Sequence, residues 1–99
     1  MEIEKTHSEG TTFLTLTGRL DTVTSPKLQD ALTDAISKSD KIEMDFGKID
    51  YISSAGLRVL LQGEKSSKAS GKSMTLKNIT PEVMEVFQVT GFTGVLNII

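Results

Sequence analysis

Cysteine is absent from the 99 residues, which excludes a disulfide framework, a thiolate metal site and a cysteine nucleophile together. Histidine occurs once, at His7 in a polar stretch near the start, so no multi-histidine metal site can form. There is no excess of positive charge: 11 Lys and Arg stand against 13 Asp and Glu, for a net charge of −2. A nucleic-acid binder normally carries a basic excess, so direct nucleic-acid binding is not expected. No window approaches the eighteen consecutive apolar residues of a membrane span, and no basic segment leads into an apolar run as in a secretory signal. Prolines number only two, and both mark helix starts. What is present is ordinary globular composition, with 37% hydrophobic residues and eight glycines. A chain this short has room for one core and one folded unit, 1–99. It reads as a soluble, cytoplasmic domain without internal repeats or linkers.

Hydrophobic periodicity orders the chain. Met1 to Lys5 reads as an edge strand, Ser8-Glu9-Gly10 as a turn, and Thr11 to Thr17 as a second strand closed by Gly18, the two forming a hairpin. Ser25-Pro26 has the form of an N-cap followed by proline at the first helical position. Leu28, Ala31, Leu32, Ala35 and Ile36 then complete an apolar stripe at helical spacing. Ile42, Met44 and Phe46 alternate with Lys41, Glu43 and Asp45, predicting a strand over 41–46. A second helix is expected from about Ser54 to Ala69, stopped by Gly71, and a short strand over Ser73 to Lys77. Thr80-Pro81-Glu82 opens a third helix that ends before Gly91, and Val95 to Ile99 reads as the last strand. The order β-β-α-β-α-β-α-β predicts an α/β fold. Its mixed, mainly parallel sheet is opened by an N-terminal hairpin, and right-handed crossovers pack the helices mainly on one face.

Several chemical signals fail. Gly71-Lys72-Ser73 lacks the earlier glycine of a phosphate-binding loop, because position 66 is serine, and it precedes a strand. Asn78-Ile79-Thr80 reads as a turn and cap. Asp45 and Asp50 sit in no calcium-loop spacing and read as solvated loop acids. No catalytic set, metal site or cofactor site remains, so an enzyme is not expected. The segment Ser53-Ser54-Ala55-Gly56-Leu57 admits two readings. One serine caps the second helix, with Gly56 allowing close packing. Alternatively, a hydroxyl at a helix N-terminus is exposed beside unpaired N–H groups, a good place to receive a phosphate without unfolding the domain.

Gly18-Arg19-Leu20-Asp21, Asp45-Phe46 and Tyr51-Ile52-Ser53-Ser54-Ala55-Gly56-Leu57-Arg58-Val59-Leu60, with Gly91, Phe92 and Leu96, resemble the STAS domain family. More narrowly, they resemble the bacterial anti-sigma factor antagonists, over essentially the whole chain. The resemblance implies partner switching. The unphosphorylated antagonist binds an anti-sigma factor that is also a serine kinase, which frees a sigma factor. Phosphorylation at the start of the second helix breaks the complex, and a PP2C-type phosphatase restores it. Carried onto this chain, the resemblance implies Ser54 as the phosphorylated residue. The partner-binding surface would comprise Asp21, Thr22, Thr24, Ser53, Ser54, Ala55, Gly56 and Arg58, with Thr22 to Pro26 as its companion segment. Two positions depart from the family pattern. Ser53 stands where the family often has aspartate, making it a rival acceptor, and Ala55 stands where a second hydroxyl is common. The alternative is an accessory STAS component of a transport or stress-signalling complex, in which Ser54 is only a helix cap.

Overall fold

In the computed structural model, which describes residues 1–99, Glu9 and Gly10 both adopt positive φ, +50° and +81°. That is the backbone of a two-residue hairpin turn whose twist suits the flanking strands, and glycine carries its second position without steric cost. It joins β1 (Glu2–Ser8) to β2 (Thr11–Leu20) in antiparallel register, Ser8 opposite Thr11 and Glu2 opposite Thr17. β1 thus runs three residues past the expected end at Lys5, and His7 pairs with Thr12 within the ladder. β2 likewise continues through Gly18 to Leu20.

The rest of the chain follows as α1 (Ser25–Lys38), β3 (Lys41–Ile52), α2 (Ser54–Ala69), β4 (Ser73–Lys77), α3 (Pro81–Thr90) and β5 (Asn97–Ile98). The sheet order is β1-β2-β3-β4-β5, parallel from β2 onward. Each crossover steps outward in the same direction, so right-handed connections lay all three helices on one face. The inward residues of the strands, Leu14 and Leu16, Ile42 and Met44, and Met74 and Leu76, are buried there. Leu28, Leu32 and Ala35 of α1, Leu57 and Leu60 of α2, and Val83 and Phe87 of α3 close the same cluster of 19 residues. On the other face the sheet is polar, and Lys77 Nζ lies 3.3 Å from Glu43 Oε2. No helix is long and apolar enough to cross a membrane.

Three local readings change. Thr24 is the N-cap of α1 rather than Ser25; Ser25 is buried in the first turn, its hydroxyl donating to the Asp21 carbonyl. β3 runs to Ile52, six residues beyond Phe46, because the strand bulges twice. Thr15 and Thr17 pair with Asp45 and Lys48, and Gly18 and Arg19 pair with Ile49 and Tyr51, so β3 gains one residue at each step. Asp45 Oδ1 accepts the Gly47 N–H at 2.8 Å inside the first irregularity. The bulges turn Phe46, Ile49 and Ile52, spaced by threes, into the core, where strict alternation would expose Ile49. Finally, a 3₁₀ turn, Phe92–Gly94, precedes the segment expected as a strand from Val95 to Ile99, and within that segment only Asn97 and Ile98 pair with β4.

Candidate functional site

The C-terminal ends of β2 and β3 lie side by side, with Leu20 paired to Ile52. After Leu20 the chain loops through Asp21 to Thr24 into α1; after Ile52 it passes Ser53 into α2. The Ser53 N–H donates to the Leu20 carbonyl at 2.9 Å, tying the two connections together. Gly56 presses the first turn of α2 onto both strand ends. A Cβ there would lie 2.8 Å from Leu20 Cγ, 2.9 Å from Ile52 Cγ1 and 3.0 Å from the Leu20 carbonyl oxygen. Two segments distant in sequence, Asp21–Thr24 and Ser53–Arg58, are thereby fused into one surface.

The two serines do different work. Ser53, half-buried and in extended backbone, is the N-cap: its hydroxyl accepts the Gly56 N–H at 3.3 Å. Ser54 is the first helical residue, exposed and outside that cap bond. The capping role therefore falls to Ser53, which corrects the alternative that made Ser54 the cap. Ala55 is half-buried and small, leaving the Ser54 hydroxyl open, while the first-turn N–H groups of α2 have no carbonyl partner within the helix. Arg58 is exposed one turn along and pairs with no acid.

Asp21 holds its own loop together. Its Oδ1 accepts the N–H groups of Val23 and Thr24, each at 3.0 Å, and its Oδ2 lies 3.8 Å from Arg19 Nε. The Thr24 N–H, with further help from the Thr24 hydroxyl, the Val23 N–H and the Arg19 charge, holds this carboxyl below its ordinary range. Thr24 Oγ1 also donates to the Arg19 carbonyl at 2.7 Å and accepts the Asp21 N–H at 2.9 Å, so the turn is closed on both sides. Thr22 is exposed at its tip.

Two residues that sequence reasoning left without a role join this surface. The Arg19 guanidinium lies 4.2 Å from the centre of the Tyr51 ring, a cation–π pair formed across the β2–β3 ladder. Tyr51 is 42% exposed and Val23, in the neighbouring loop, 86%. The legible signal was an aromatic out of phase between inward Ile49 and Ile52; without the second bulge its side could not be assigned. The assembled patch offers an open hydroxyl, an aromatic–cation pair, an ordered carboxylate and an exposed valine.

Comparison with known proteins agrees with this architecture. Residues 3–98 match the family model described as "Mlab, STAS domain". BtrV of Bordetella bronchiseptica, named as a candidate anti-sigma factor antagonist, is 30% identical over 96 residues, spanning 96% of this chain and 83% of that protein. The anti-sigma-B factor antagonist of Bacillus subtilis is 21% identical over 98 residues, covering 99% of this chain and 90% of its own length. Among solved structures, the antagonist SpoIIAA in its unphosphorylated form superposes with a TM-score of 0.83 at 21% identity, over 99% of this chain and 88% of the other. At that identity the likeness establishes the fold.

Proposed function

The chain belongs to the STAS domain family, and from that premise we propose that it is an anti-sigma factor antagonist acting by regulated binding rather than catalysis. Unphosphorylated, it binds an anti-sigma factor that is also a serine kinase, and a sigma factor is released. Phosphorylation of Ser54 ends the complex, and a PP2C-type phosphatase reverses it. The observation that carries this reading is the division of labour between the serines: Ser53 spends its hydroxyl on the helix cap, and Ser54 keeps its own free and exposed on the same rigid turn. Asp21, Thr22 and Thr24 with Arg19, Tyr51 and Val23 form the companion surface. A phosphate on Ser54 meets the positive end of the α2 dipole and is tolerated by the fold. A partner surface shaped to a small neutral hydroxyl then meets a hydrated dianion and is rejected.

The test is incubation of wild type, Ser53→Ala and Ser54→Ala with the cognate kinase and ATP, followed by mapping of phosphate by mass spectrometry. Ser54 should be modified in wild type and in Ser53→Ala, and Ser54→Ala should stay unmodified while still binding. Phosphate on Ser53 alone, or on neither serine, would sink the assignment.

A further inference from the structure

The chain has two arginines, Arg19 and Arg58, and both stand at the surface around Ser54. Arg19 is committed: its guanidinium stacks on the Tyr51 ring, and its Nε lies 3.8 Å from Asp21 Oδ2. Arg58 is exposed and pairs with no acid. Helical partners stand three or four residues away. For Arg58 those positions hold Ser54, Ala55, Leu61 and Gln62, none of them charged. A long helical side chain leans back over the turn before its own Cα, so Arg58 reaches toward Ser54. No bulky side chain intervenes, because Ala55 is small and Gly56 and Leu57 are buried.

We propose that Arg58 is the positioning residue for a phosphate on Ser54, drawing it down onto the first turn of α2. The role rests on the reading of Ser54 as the phosphorylated residue. An acid four residues before a base is the favourable order along a helix. The planar guanidinium offers paired donors to phosphate oxygens in charge-assisted bonds. From the facing loop, Arg19 and Asp21 bring opposite charges that lie against each other, and Tyr51 of β3 already holds Arg19. Arg58 is therefore the arginine left to answer the new charge. Its regulatory effect is to fix the phosphate at one place on the binding surface, so that the rejected state is built into the chain itself.

The experiment takes the full chain, made by chemical synthesis with phosphoserine at position 54, and follows its phosphorus NMR shift against pH. The second ionisation of phosphoserine ordinarily falls at about pH 6. A cation held against the dianion lowers it. The midpoint should lie about half a unit lower in wild type than in Arg58→Met. Arg58→Lys should fall between them, because an ammonium keeps the charge and loses the fork. Lys68→Met, which removes a charge about 20 Å further along α2, should titrate as wild type. Arg58 and Lys68 are exposed, so the variants keep the fold, with circular dichroism as the check. Coincident curves for wild type and Arg58→Met, or an equal displacement in Lys68→Met, would overturn the role of Arg58. Because the phosphate is built in, this result is independent of any kinase. Phosphate mapped away from Ser54 sinks the function proposed above, whereas coincident curves sink the role of Arg58 alone.

Discussion

Ser53 and Ser54 are identical in chemistry and adjacent in sequence, and the backbone alone separates their tasks. Ser53 is extended and turns its hydroxyl back to the Gly56 N–H; Ser54 is helical and turns outward. Ser53→Ala should therefore lower stability by about 0.5–2 kcal/mol, the usual cost of an N-cap, while Ser54→Ala leaves the urea midpoint near wild type. Equal losses in the two variants would contradict the cap assignment. Asp21 makes a second residue-scale prediction. Its carboxyl is held below the unfolded value of about 3.9, chiefly by the Thr24 N–H. Its contribution to stability is thus present above about pH 4 and is lost as the pH falls through the lowered folded value. Asp34, lowered by hydrogen bonds from Lys38 and Lys5, acts in the same direction. Asp21→Asn should show a shallower fall in urea midpoint on acidification than wild type; parallel curves would remove Asp21 from the linkage.

At the scale of the element, α1 and β3 illustrate two kinds of burial. α1 presents one clean stripe, Leu28, Leu32 and Ala35, onto the sheet. Leu32 also packs where Gly63 of α2 comes close: a Cβ on that glycine would sit 3.0 Å from Leu32 Cδ1. The cavity left by Leu32→Ala has little room to collapse, and the substitution should cost about 2–5 kcal/mol. An unchanged urea midpoint would show that the stripe is not the buried face. β3 is less regular. Its first half alternates strictly, and its second half is re-aimed by two one-residue bulges, which also set Tyr51 outward against Arg19. The same bulged half carries the chain to Ser53, so the irregularity and the candidate site are parts of one segment.

For the whole molecule, the position of Ser54 at the rim of a finished core has a consequence. Its side chain contributes nothing to the packed cluster, and negative charge at a helix N-terminus is favourable by about 0.3–1 kcal/mol. Ser54→Asp should keep the near-UV circular dichroism of wild type and melt at the same temperature or slightly above it. It should nevertheless lose affinity for the anti-sigma factor, measured by calorimetry. A variant that unfolds would place the switch in the fold; one that binds normally would remove Ser54 from the interface.

Wherever side chains repeat at 3.6 or 2 residues, local pattern was sufficient to locate the element. The stripe of α1, the first half of β3, the span Ser54–Ala69 and the proline-marked start of α3 all stand where their periodicity puts them. The parallel sheet and one-sided helices follow from element order and crossover handedness, and the serine segment was legible because small residues crowd a helix start. Pattern failed where the deciding partner is remote. Which serine caps α2 depends on the Leu20 carbonyl that holds the Ser53 backbone, and the length of β3 depends on bulges visible only against β2. The capping of α1 depends on a loop closed by Asp21 and Thr24. Glu64 looks in sequence like any acid in the polar half of a helix, yet it is only 6% exposed. Its enclosure arises only when β4 and the Leu96 segment fold against α2, because solvation belongs to the assembled surface and not to the residue.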